Sequence, residues 1–383
     1  MNKHQIGVTL LATLGAALAL ASTAALAAKP APPSPPPSTT TSCSGVPGVG
    51  VFPAMVYSKA KYKTIKRSGG TTVYDGSDFY LADSNGKCSI RIASSSYGGG
   101  FSYRHIGTEA NVVFVDAGGT SIRRLKFNVV NGSVVESFPL ASSIVYASSW
   151  TPSGVNDVEL SADGRTIFFT EEIETIDGRW FDTLYSINLD SCGASCTAQT
   201  LYVFNEDSGV SCLSVNAAGD RLYVSIHDRI PDIRTISFLT KNQDGTWSSL
   251  RHVVSDQDGS YETVNGFAGT ALGRWDYNSS SVPKDVLSYV VERTSGNTTD
   301  IIDVTNCAVA TISAQESCLS AGESVVVRSG ITGDGTSFTS TPSSLTTGTP
   351  SLLVASGGSV IDVGLGASAP VPLLPGGGAD SAD

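Results

Sequence analysis

The chain has 383 residues, a formal net charge of −11, 40 Gly and only two Met. An acidic chain is poorly suited to a phosphate backbone, whose recognition needs Lys and Arg, so nucleic acid is excluded as a partner. Helix-length amphipathic windows are scarce while short β-branched and aromatic runs abound, which argues for an all-β protein.

The first element is a secretion signal, residues 1–28. Lys3 and His4 open it, an apolar run from Ile6 to Ala27 follows, and the small residues Ala25-Leu26-Ala27-Ala28 close it. Its removal leaves no transmembrane anchor, and no Cys follows closely enough for a lipid anchor. Residues 29–50 read as a tether, because Pro30, Pro32, Pro33, Pro35, Pro36 and Pro37 favour an extended polyproline form and Ser and Thr then take over. Residues 51–374 form the folded domain, and the Gly-rich stretch 375–383 reads as a disordered tail. Export predicts a periplasmic or extracellular protein with disulfides. Cys192 with Cys196 and Cys307 with Cys318 are the sequence-near pairs, which leaves Cys43, Cys88 and Cys212 with at least one of them outside an intrachain bridge.

Within the domain, short apolar runs recur at Tyr57, Phe114, Phe169, Val224, Val290 and Val354. The spacing is roughly 55 to 65 residues, long for a propeller blade and consistent with loop insertions. The clearest unit has an inner strand ending at Leu160 and an Asp163-Gly164 turn. Its further strands are Thr166–Thr170, Leu184–Leu189 and Gln199–Val203. Four antiparallel strands per repeat make a propeller blade. The next unit copies the plan from Cys212 to Val254. The first unit shows no inner strand of its own, so a distant part of the chain is expected to supply it.

Leu160-Ser-Ala-Asp-Gly-Arg-Thr-Ile-Phe-Phe-Thr170, followed by Leu184-Tyr-Ser-Ile-Asn-Leu-Asp190, resembles the repeat of TolB-like propellers. Phe79-Tyr-Leu-Ala-Asp-Ser-Asn-Gly86 resembles the same third strand and turn. The resemblance implies a single β-propeller of six four-stranded blades, without the small α/β domain that precedes the propeller in TolB. It implies a fold and no particular function.

In such a fold the connections from second to third strands converge on one mouth. Asp116, Glu171, Glu172, His227, Asp228 and Glu292 fall in these connections, and Lys59, Lys61, Lys63, Lys66 and Arg67 make a basic sector. Grouped acids suit a basic partner or calcium, a cation that takes six to eight oxygens, although no EF-hand loop is present. No Gly-x-Ser-x-Gly elbow occurs. His105 and His252 fall in strands, and His227 beside Asp228 is the one histidine placed for chemistry. The leading expectation is a non-catalytic binding or scaffold propeller for an envelope or extracellular protein, with no cofactor required. The alternatives are a calcium-dependent hydrolase, lactonase or carbohydrate-active enzyme, and a purely structural surface protein.

Overall fold

A computed structural model describes residues 43–255 apart from 66–69, 99, 137–139, 149–152, 176, 193–195, 216–218 and 230–231. From 251 onward it describes the backbone of the strands only. Among these residues there is no α-helix, and the strands fall into six antiparallel sheets in chain order.

The first sheet holds β1 (Met55–Ile65), β2 (Thr71–Ala82) and β3 (Ser89–Ser95). The second holds β4 (Phe101–Ile106), β5 (Glu109–Asp116) and β6 (Ser121–Val130), with β7 (Ser133–Val134) and β8 (Ser142–Ala147) both paired to β6. The third is β9 (Ser153–Leu160), β10 (Thr166–Glu174), β11 (Trp180–Asn188) and β12 (Gln199–Val203). The fourth is β13 (Ser208–Val215), β14 (Arg221–Arg229), β15 (Asp232–Thr240) and β16 (Arg251–Ser255). The fifth holds β17 (Val264–Gly266), β18 (Trp275–Tyr277), β19 (Lys284–Arg293), β20 (Thr299–Val304) and β21 (Ser324–Ile331). The sixth is β22 (Ser337–Ser340), β23 (Ser351–Ser356), β24 (Gly358–Gly364) and β25 (Val371–Ala379). A last short strand, β26 (Ser381–Ala382), returns to β1, with Tyr57 opposite Ala382 and Ser58 opposite Ser381.

Two segments differ from the sequence reading. The stretch expected to be a disordered tail carries β26 and most of β25, and β26 is the inner strand that the first sheet lacked. Pro and Gly disguise this segment, because they remove the side-chain alternation by which a strand is read. The folded domain also starts earlier than Val51. Cys43 is buried and bonded to Cys88, and Val46 and Val49 pack on the first core cluster. The buried Asp83 fixes the stretch from its end, accepting from the Gly50 N–H and the Cys88 N–H at 2.7 Å each. Cys192 bonds Cys196 as expected, Cys212 in β13 belongs to neither bridge, and Cys307 and Cys318 lie outside the described residues.

Side chains alternate across each strand, so both faces of an inner sheet are buried by different neighbours. In β10, Ile167 and Phe169 face the second sheet and pack with Val113, Val115 and Ile122. Phe168 faces the fourth sheet and packs with Leu213, Leu222 and Val224. First strands of successive sheets touch along their length. The Leu160 N–H donates to Ser102 Oγ at 3.1 Å, and Arg104 Nη2 donates to Glu159 Oε1 at 3.0 Å. The Leu213 N–H donates to Asp157 Oδ2 at 2.8 Å. Gly100 allows the first of these approaches, since a Cβ there would stand 2.9 Å from the backbone nitrogen of Val158.

Candidate functional site

The ends of the sheets where second strands turn into third strands hold the acids singled out in the sequence. They are not loop residues. Glu171 and Glu172 lie on β10 and pair with Thr183 and Asp182 of β11. His227 and Asp228 lie on β14 opposite Arg234 and Ile233 of β15. Glu292 lies on β19 opposite Thr299, and Asp116 closes β5 opposite Ser121. The ladders run almost to the tips, which leaves only short connections. Charge misled the reading here, because an acid with hydrogen-bond partners is tolerated in a buried strand.

Asp116, Glu171, Asp182 and Asp228 each have structural partners. Asp116 Oδ2 accepts from Arg123 Nε at 2.7 Å and its Oδ1 from the Ser96 N–H at 3.0 Å. Burial opposes ionisation of Asp116, but hydrogen bonds from the Ser96 and Ala117 N–H groups, Ser95 and Arg123 outweigh it. They hold the carboxyl below the ordinary range. Glu171 is fully buried and accepts from the Tyr146 hydroxyl of the second sheet at 2.7 Å. Burial raises the Tyr146 hydroxyl far above its usual value, and its bond to Glu171 raises it further. Tyr185 is raised by burial and then by the Glu171 charge. Asp228 accepts from the Ser208 hydroxyl. Asp182 on β11 is fully buried and accepts from the Val210 N–H of the fourth sheet. Glu172 and His227 are half-buried. The side chain of Glu292 lies outside the described residues. No three His, Cys, Asp or Glu side chains gather to hold a metal ion among the described residues.

The first sheet differs from the rest at this end. The β1–β2 ribbon stays paired out to Ile65 and Thr71, well past the point where burial ends at Ser58. Tyr62 and Tyr74 are direct cross-strand partners, their rings edge-on at 5.9 Å, and are 65% and 46% exposed. Lys61 and Lys63 line the same strand, and each has an aspartate neighbour, Asp78 at 3.7 Å and Asp75 in closer contact. Lys59 sits over the Tyr57 and Tyr80 rings at 5.5 and 5.3 Å. The sequence signal for this ribbon is the alternation Lys59, Lys61, Lys63 with Tyr62 between, and it reads as a strand rather than as the loop expected. Lys66 and Arg67 lie outside the described residues.

No protein-family model matches the chain, and no curated protein sequence matches it. Among solved structures, a puromycin hydrolase mutant complexed with PGG is similar at 12% identity and a TM-score of 0.48, over 88% of this chain and 54% of that one. TolB from Acinetobacter baumannii is similar at 11% identity and a TM-score of 0.43, over 81% of this chain and 63% of that one. The apo form of prolyl oligopeptidase B from Galerina marginata is similar at 10% identity and a TM-score of 0.43, over 83% and 40%. The chain therefore spans about half the length of the first of these, 54%. No helix among the described residues is long and apolar enough to cross a membrane. Two disulfides suit an oxidising compartment.

Proposed function

We propose that this chain is an exported binding protein of the periplasm or cell exterior, a six-bladed propeller of the TolB-like kind. Its partner is an envelope or extracellular protein with an acidic surface, engaged at the end where second strands turn into third strands. The observation that carries this reading is the β1–β2 ribbon, which presents two exposed tyrosines among lysines in a chain of net charge −11. Exposed Tyr is the residue type of an interface anchor, and the lysines beside it would steer an acidic partner. Glu171, Asp182 and Asp228 support the end from within, so contact with a partner falls to the ribbon.

The test is capture of the producing cell's envelope proteins on the immobilised full protein. The Tyr62→Ala/Tyr74→Ala and Lys61→Glu/Lys63→Glu variants are run beside it. A captured protein that is acidic, is released by salt and is lost with both variants is the expected result. Capture that neither variant weakens overturns the reading. Ring closure has its own test. Ser58→Cys and Ser381→Cys sit opposite each other only if β26 completes the first blade, at a strand-to-strand distance a disulfide can span. The linked peptide pair is expected by mass spectrometry after oxidation, and its absence removes the closed ring.

A further inference from the structure

A second place in the molecule is built like a ligand site, at the opposite ends of the third and fourth sheets. A cavity of about 610 Å³ lies there, within the usual range for small-molecule sites. The face of the third sheet that meets the fourth is apolar through Leu184 and Phe168 and then changes character. Ser186 and Asn188 follow Leu184 at two-residue steps on β11 and so share its face. Thr166 stands opposite Asn188, Phe168 opposite Ser186, and Ser186 opposite Gln199 of β12. All five line the cavity. The other face of the same strands carries Ile167, Ile187 and Leu189 at this level and is closed by core packing. The recess opens to solvent at the sheet ends, where Asn188, Gln199 and Lys241 are exposed while Phe168 at its base is buried.

The facing wall is a rigid turn. Lys241 pairs with Trp247, the Asn242 N–H donates to Thr246 O at 2.7 Å, and Asp244 Oδ1 accepts from the Thr246 N–H at 2.9 Å. Gly245 closes the turn at φ +85°. This turn aims Lys241 and the half-buried Trp247 at the polar face. The indole is held perpendicular to the Phe168 ring, with centroids 5.8 Å apart. An aromatic ring opposite hydroxyl and amide groups suits a sugar. A sugar ring offers a C–H face to an aromatic side chain and hydroxyls, each donor and acceptor, around its edge.

We propose that this cavity binds a hydroxyl-rich ligand of the carbohydrate class, one or two sugar rings in size. The ring packs on Trp247, and its hydroxyls meet Ser186, Gln199 and Lys241. The site is independent of the ribbon at the other end of the sheets.

The test is a titration of the full protein with glucose, galactose, N-acetylglucosamine, cellotetraose, chitotetraose and maltotetraose. It is read by saturation-transfer NMR and by indole fluorescence. Saturable binding of at least one sugar is expected. Trp247→Ala and Gln199→Ala should each weaken it about tenfold or more, and Tyr62→Ala should leave it unchanged. Ser186→Leu keeps the turn and replaces a hydroxyl at the centre of the polar face by an apolar group, so it should weaken binding about tenfold or more even if Trp247→Ala fails to fold. Binding of no sugar in the panel overturns the proposal. So does binding that survives both Gln199→Ala and Ser186→Leu.

Discussion

The third sheet has two faces, and they are built differently. Towards the second sheet it is closed throughout. Ile167, Ile187 and Leu189 fill one end and Phe169 fills the middle, stacked on Tyr185 at 5.2 Å and tilted against Tyr146 at 4.5 Å. At the other end Glu171 and the Tyr146 hydroxyl satisfy each other. Towards the fourth sheet the packing is apolar only up to Phe168 and then opens into the 610 Å³ cavity. One β-ladder thus serves as a wall on one side and as the floor of a recess on the other. The difference comes from which residues occupy alternate positions of the same three strands.

The largest test of this contrast compares adjacent phenylalanines. Phe169→Ala should cost about 3–5 kcal/mol, the range for emptying a closed core. Phe168→Ala should cost about 1 kcal/mol less, because Phe168 already borders open volume and loses fewer contacts. Denaturant unfolding measures both, and equal costs would show that the two faces are packed alike. Next, Tyr146→Phe removes a donor from a buried carboxylate and should destabilise by about 1–3 kcal/mol. The same change aimed at Tyr202, on the other face, should cost less by the same measurement.

The pH dependence sharpens the comparison further. Tyr146 and Tyr185 both have hydroxyls held above their ordinary value in the folded state. Below about pH 10, the ordinary tyrosine value, both states are protonated and this contribution is fully present. As pH rises beyond that, the unfolded chain ionises first, so stability falls towards the folded-state values. Thermal melts from pH 8 to 11 should show this alkaline loss, and Tyr146→Phe should make it shallower. An unchanged slope would place the effect elsewhere. The smallest effect is expected on the open side. Ser186→Leu should change stability by less than about 1 kcal/mol, because the cavity takes the added carbons without overpacking. Differential scanning calorimetry would read it, and a large loss would mean that the recess is already filled.

Much of this was legible in the sequence. The limits of β12 are those expected, and the Asp163-Gly164 turn and the Cys192–Cys196 bridge are where spacing placed them. Strands there announce themselves by alternation, and the turn by Gly at φ +66°. Strand ends were harder. Glu171 and Asp228 look like loop residues because charge usually marks the surface, yet each sits in a ladder with a partner from another strand. The Cys43–Cys88 bridge was invisible because it joins a Pro-rich approach to a turn 45 residues away. The cavity was also invisible, since its residues come from β10, β11, β12 and the 241–247 turn and meet only through register. The signal that would have found it is the step from Leu184 to Ser186 and Asn188 on one strand face.

The pairing of β26 with β1 carries a consequence for the order in which the molecule can be made. Synthesis delivers β1 well before Ser381–Ala382. Until then the first sheet offers the bare edge of β1, with its backbone donors and acceptors open to any strand nearby. A partly made chain is therefore exposed to mispairing until β26 arrives. A chaperone that covers a single sheet edge would act at this point. A bulky fusion placed directly after Ala382 would crowd the place where the last strand docks.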